Sequence, residues 1–212
     1  MSLTLHGYWR SGAAWRVRIA LALKGLAYEQ VPHDLRTGAQ GEAAYRALNP
    51  QGLVPALDIG GAVLTQSLAM IEWLEETFPT PALLPADALG RARVRAMAQV
   101  VACDIHPLNN LRVLQSLRRD LGADEAAVSA WIARWIGAGF AALEGMIGEQ
   151  GGDFAHGAAP GLVECCLVPQ VGSARRFGVD LSPYPRIVAI DARCAALPAF
   201  RQAAPESQPD AP

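Results

Sequence analysis

The chain has 212 residues, 51% of them hydrophobic and 18% charged, which is apolar material for one large domain or two small ones and excludes wholesale disorder. Its formal net charge of −2 argues against a nucleic-acid partner, because neutralising phosphates needs a basic stripe. No apolar run of the ~20 residues that span a bilayer stands out, and the start, MSLTLHGYW, lacks the order of an export signal, so no membrane and a cytoplasmic location are expected.

The residues from Leu3 to Tyr8 alternate in character and predict a strand. A turn at Arg10-Ser11-Gly12-Ala13 then leads into a helix whose apolar residues are Val17, Ile19, Ala20, Leu21 and Leu23. Arg16, Arg18 and Lys24 are expected on its other faces, and Gly25 is a suitable stop. A second strand over Tyr28–Val31 would complete a βαβ unit with a parallel pair. A polar segment follows, then a short helix over 42–48. Pro50 and Gly52 mark a turn, and Val54-Pro55 suits a cis bond. Leu57 to Leu64 reads as a hairpin turning at Gly60-Gly61. Gln66-Ser67 opens a helix that runs to Phe78, with Ser67 at its N-cap or first turn.

The proline-rich stretch 81–87 is expected to be a linker between a small α/β domain (1–80) and an all-helical domain (88–212). Strand signals vanish beyond it. The sequence predicts a long helical stretch from Arg91 to Leu121 interrupted at Pro107, and a helix from Asp124 to about Glu149 with Trp131, Ile132, Trp135, Phe140, Leu143 and Ile147 on its apolar side. A glycine-rich loop, a helix through Pro169 and a last helix after Tyr184-Pro185 complete the pattern. The tail from Ala203 onward, polar and proline-rich, reads as a loose end. The four cysteines form no CxxC pair and the four histidines stand at no zinc-ligand spacing from them; reduced, mostly buried thiols and no metal are expected.

Chemistry concentrates in three places. Ser11 brings a hydroxyl to a helix N-terminus directly after Arg10, and Gly12 and Ala13 leave the backbone approachable. That is an anion site, able to draw a thiol pKa from ~8.5 toward neutrality. A plain N-cap would also explain Ser11. Val54-Pro55, if cis, would offer backbone groups to a peptide-like ligand. Gln66-Ser67 stands at a second helix N-terminus, suited to a carboxylate or to an ordinary cap.

The segments WRSGAAWRVRIALALKG, ALNPQGLVPAL, LTQSLAMIEWLEE, CDIHPLNNLRVLQ and LVPQVGSARRFGVDLSPYP together resemble the zeta class of glutathione transferases, over nearly the whole chain and in the same order. The resemblance implies a thioredoxin-like N-terminal domain, an all-α C-terminal domain, a cytosolic homodimer and glutathione as the cofactor. It implies a catalytic role for Ser11, a cis bond at Val54-Pro55, and glutathione contacts from Gln40, Gln66 and Ser67. It also implies that Asp104, His106 and Asn110 line the site, with His106 and Asn110 four residues apart on one helical face. The chain departs from the family at Gly12 and Ala13, where a second hydroxyl and a thiol are common. It departs again at Gly161, where a Ser or Thr usually caps a buried helix against an acid three residues on; Glu164 is left to cap alone.

The resemblance further brings Arg10, Arg112 and Arg176 together. Each could be an ordinary surface cation, but three guanidinium groups suit a substrate with two carboxylates and a developing enolate. The expected activity is glutathione-dependent cis–trans isomerisation of maleylacetoacetate. Maleylpyruvate is the alternative, and Leu111 in place of a second arginine beside Arg112 tilts the reading to the longer substrate. A general transferase that conjugates electrophiles, or a glutathione-binding protein without activity, are the competing classes.

Overall fold

The computed structural model describes residues 2–212. Its contacts divide the chain into two units, residues 1–83 with 195–212, and residues 84–194.

The first unit is built on a four-stranded sheet of order β2-β1-β3-β4. Strand β1 (Thr4–Gly7) leads into helix α1 (Gly12–Leu23), which returns to β2 (Glu29–Pro32). The two strands pair in parallel, Thr4 opposite Glu29, as the βαβ pattern predicts. Gly25 ends α1 in the left-handed region at φ 66°, where glycine carries no steric cost. Helix α2 (Ala43–Leu48) precedes β3 (Ala56–Asp58) and β4 (Val63–Thr65), an antiparallel hairpin, and α3 (Ser67–Thr77) follows.

Helix α1 departs from the expected amphipathic pattern. Arg16, Arg18 and Lys24 do not face solvent; they are 3%, 1% and 8% exposed. Burying a charge is costly unless its donors are satisfied, and for Lys24 and Arg18 they are. Lys24 Nζ donates to Glu75 Oε2 (2.8 Å) and to the carbonyls of Phe78 and Pro81 (2.7 Å each), bracing the start of the connection to the second unit. Arg18 donates to the carbonyls of Ala203 (2.9 Å) and Trp9 (2.8 Å).

The tail is likewise not loose. Helix α9 (Pro198–Ala203) packs on α1, and Gln208, buried, returns its side-chain amide to the carbonyls of Gln202 (2.9 Å) and Ala204 (2.8 Å). Proline and polar composition suggested freedom; packing against α1 and the Arg18 bond to the Ala203 carbonyl remove it.

The second unit is helical: α4 (Ala88–Gln99), α5 (Leu111–Leu121), α6 (Glu125–Gln150), α7 (Leu162–Arg176) and α8 (Pro185–Ala195). Between α4 and α5 the chain widens into a π-helical segment, Val100–Ile105, then tightens to a 3-10 turn, Pro107–Asn109. Gly139 of α6 permits this: a side chain there would collide with Ile105. Asp124 caps α6 through Ala127 N–H (2.8 Å). By length and composition α6 could cross a membrane, with a mean hydropathy of 1.4, which corrects the expectation that no such run exists. Much of that hydropathy is alanine, and Val128, Ile132, Ile136, Phe140, Leu143 and Ile147 form a buried stripe at helical spacing. Glu144 reaches α8, accepting from the backbone N–H groups of Arg186 (2.9 Å) and Ile187 (3.1 Å).

The start of α7 bears out the reading of Glu164. Its carboxylate accepts from Gly161 N–H (2.7 Å) and from Ala155 N–H (2.8 Å), so it closes the helix start and the preceding loop together. Burial pushes its pKa up despite those donors. Cys165, Cys166 and Cys194 are buried and free, Cys103 exposed and free. Burial pushes the Cys194 thiol far up, which keeps it inert.

Gly161 has no side chain to complete the cap. Gly161→Ser is expected to stabilise by up to about 1 kcal/mol, raising the melting temperature by roughly 2–4 °C; a thermal melt showing no rise or a fall would contradict this.

Candidate functional site

The turn after β1 sets the site. Ser11 N–H donates to Tyr8 O (3.0 Å), and Ser11 Oγ accepts from Ala14 N–H (3.2 Å). The N-cap role is therefore real. It does not consume the hydroxyl, which accepts through a lone pair and keeps its own hydrogen to donate. An anion at this point meets an O–H donor and the positive end of α1. Arg10 is exposed beside it, its guanidinium 5.2 Å from the centre of the Trp9 ring.

The other first-unit residues are interlinked. Val54-Pro55 is cis. Gly52, at φ 63°, lies so close to the Gln40 carbonyl that a Cβ would stand 3.1 Å from it, so Gln40 and the Val54-Pro55 segment are neighbours. Gln66 donates its amide to Gln51 Oε1 (2.8 Å). Gln66 has φ 67° and is, among the described residues, the one non-glycine at positive φ. That backbone costs about 1–3 kcal/mol and collects at functional sites. Ser67 is the first residue of α3, and Arg16 Nη1 donates to its Oγ (3.3 Å) beneath the surface. Ser67 thus joins a helix N-terminus to a buried cation, an arrangement for a carboxylate. Sequence reading missed Arg16 by assigning it to solvent.

A γ-glutamyl tripeptide fits these features. Gln40 Oε1 and Tyr8 Oη are buried with no hydrogen-bond partner in the described structure, and buried polar atoms are rarely left so. Among the described residues no group of His, Cys, Asp and Glu could hold a metal.

The second unit carries the remaining candidates. Asp104 is exposed on the π-helical segment and His106 half-buried at its end. Asn110 is not on a helical face shared with His106. The chain tightens through Pro107–Asn109, Asn110 is extended at φ −69°, ψ 148°, and its side chain caps α5 through Arg112 N–H (3.3 Å). Proline at 107 breaks the spacing the one-face argument assumed. Arg112 is exposed in the first turn of α5, where the helix dipole disfavours a cation, so helix stability does not explain it. Arg176 ends α7, where the dipole favours a cation, its guanidinium 4.5 Å from the centre of the Phe177 ring.

Comparison with known proteins agrees with this geometry. Residues 5–82 match the family model described as glutathione S-transferase, N-terminal domain. A maleylpyruvate isomerase from a Ralstonia species is 57% identical over 98% of this chain and 99% of its own. A maleylacetoacetate isomerase from Pseudomonas aeruginosa is 53% identical over 99% of each chain. A solved holo maleylpyruvate isomerase, described as a bacterial glutathione S-transferase in the zeta class, superposes with a TM-score of 0.97 at 57% identity, covering 99% of this chain and 100% of that one. This chain belongs to the zeta class of glutathione transferases. Its thioredoxin-like sheet and helical second unit are those of the class. A further solved neighbour, a maleylacetoacetate isomerase from Anaeromyxobacter dehalogenans with glutathione bound in its active site, superposes with a TM-score of 0.90 at 49% identity, covering 100% of this chain and 98% of that one.

Behind the Val54-Pro55 segment this zeta-class chain carries a histidine pair that the sequence did not suggest. His6 Nδ1 and His33 Nε2 are 3.1 Å apart. The His33 ring lies 4.4 Å from that of Tyr45, whose hydroxyl donates to Leu53 O (2.7 Å). Burial lowers both histidine pKa values, only partly offset by Asp58 and Glu29 at His6 and by Glu42 at His33, where His6 lowers further. A folded pKa below the unfolded value near 6.5 means stability that is present above it and lost as pH falls. The melting temperature should therefore fall by roughly a few degrees between pH 7.5 and 5.5, and His33→Gln should flatten that fall; an equally steep fall in the variant would reject the assignment.

Proposed function

We propose that this chain is a glutathione-dependent cis–trans isomerase that converts maleylacetoacetate to fumarylacetoacetate. The observation that carries the reading is Ser11: a hydroxyl fixed at a helix N-terminus with its hydrogen still available, beside the exposed Arg10. Relatives named as maleyl isomerases over nearly the full length support it.

Glutathione, when bound, supplies the thiolate that adds to the conjugated carbon–carbon double bond and leaves after rotation. Ser11 donates its hydroxyl hydrogen to the sulfur and, with the α1 dipole, favours the charged form. Gln66 and Ser67 hold the γ-glutamyl carboxylate, with Arg16 beneath. Val54-Pro55 and Gln40 hold the peptide, and Asp104, His106 and Asn110 complete its surroundings. Arg10, Arg112 and Arg176 bind the substrate's carboxylates and its enolate oxygen as charge develops. Rotation about a single bond needs no acid or base of its own. The N-terminal domain serves glutathione and the helical domain the maleyl substrate. The protein works in the cytoplasm as a homodimer, without nucleic acid or membrane.

Maleylpyruvate is the second reading, favoured by the 57% identity to the Ralstonia enzyme of that name. Leu111, 42% exposed beside Arg112, favours the longer substrate, since a second cation there would suit the shorter and more polar one. Steady-state rates with both compounds decide between them, and efficient conjugation of an aryl halide without maleyl isomerisation would overturn both.

Arg10→Ala, Arg112→Ala and Arg176→Ala should each lower kcat/KM for the maleyl substrate by about 10- to 100-fold, the loss of one charge-assisted hydrogen bond. Glutathione affinity should stay within about twofold, well under that loss. Unchanged turnover in all three variants would remove the arginines from the mechanism.

A further inference from the structure

We propose that the C-terminal tail is a strap that fixes the Arg10-Ser11 turn, with Asp210 as its positioning residue. The proposal rests on the glutathione reading of that turn and adds the group that holds it in place.

Trp9 lies beyond the end of β1, so no strand ladder secures its peptide groups. The tail and a buried arginine secure them instead. Asp210 Oδ2 accepts from Trp9 N–H (2.9 Å) and Asp210 Oδ1 from the side-chain amide of Gln30 on β2 (2.9 Å). The Trp9 carbonyl accepts from Arg18 Nη2 (2.8 Å), and the Tyr8 carbonyl from Arg18 Nη1 (3.4 Å). The same guanidinium donates through Nε to Ala203 O at the end of α9 (2.9 Å). Both peptide groups of Trp9 are thus tied, directly or through Arg18, to residues 203–210.

The tail is built for this. Ser207 Oγ donates to Arg201 O (2.8 Å), and the buried Gln208 amide closes the bend that delivers Asp210. Asp210 also lies in the field of Arg18, so the carboxylate offsets the charge of the guanidinium whose bonds it complements. Ser11 follows Trp9 by two residues and donates its own N–H to Tyr8 O. A carboxylate far along the chain therefore sets where the Ser11 hydroxyl and the first turn of α1 stand. Asp210 touches no reacting atom; it acts through the turn.

The test is the titration of glutathione's thiol bound to the full chain, followed by thiolate ultraviolet absorbance, with affinity for S-methylglutathione measured in parallel. Asp210→Ala should raise the bound thiol's titration by roughly half to one pH unit, the equivalent of one weakened hydrogen bond, and lower isomerase turnover at neutral pH in proportion. Affinity for S-methylglutathione, which has no thiol to ionise, should hold. Asp210→Asn, which keeps an acceptor for Trp9 N–H, should recover most of the shift. If Asp210→Ala does not fold, Gln30→Ala removes one anchor of the carboxylate and should give a smaller shift in the same direction. An unshifted thiol titration, or equal loss of affinity for both ligands, overturns the strap. Failure of the wild-type chain to bind glutathione overturns the reading of the site itself.

Discussion

The first unit depends on one buried guanidinium. Arg18 is 1% exposed, and burial draws its pKa down to about 10, so it remains charged at neutral pH. A charge in that position is tolerated only while its donors are met. Those donors reach the turn before α1 and the end of α9. The neighbours of Arg18 on α1 follow the same logic. Arg16 reaches Ser67, and Lys24 reaches Glu75 and two carbonyls. Helix α1 serves less as an amphipathic cover for the sheet than as a rod with three buried cations, each bracing a different segment of the site's frame.

Much of this frame was legible. Glycine stops, alternating strands and caps are local signals, so Gly25, the β3–β4 hairpin and the Asp124 cap follow from neighbouring residues alone. The three cations of α1 were not legible, because pattern reading sends Arg and Lys to solvent. Each has a partner that lies far off in sequence, the Ser67 hydroxyl and the Glu75 carboxylate 51 residues away and the Ala203 carbonyl 185 away, and no window of sequence contains both. The tail failed for the same reason: Asp210 looks polar and free until Trp9 and Gln30, 201 and 180 residues away, are known to bind it. The His106–Asn110 spacing failed differently. It assumed 3.6 residues per turn, whereas the chain passes from a π-helical to a 3-10 geometry within those residues.

Two features run against local stability, and both fall on residues that sequence reasoning had singled out. Gln66 holds a backbone conformation that a non-glycine residue adopts at a cost. Arg112 puts a cation in a first turn where the dipole opposes it. Ordinary folding pressure accounts for neither. Sequences that violate local rules tend to do so where function demands it. Ser11 is the contrasting case: its cap is good local structure and good chemistry at once, so stability alone would keep a hydroxyl at that position.

The first unit is closed by residues from both ends of the chain, and this bears on the order in which the molecule forms. On the ribosome, domains generally fold as they emerge, the N-terminal one first. Here the sheet, α1 and α3 are made early, but Arg18 has no Ala203 carbonyl until the whole helical unit has been synthesised. Until then a guanidinium destined for the interior must stay hydrated or strand its donors. The unit made first is therefore the unit finished last, and the helical unit, contiguous in sequence, is synthesised in the interval.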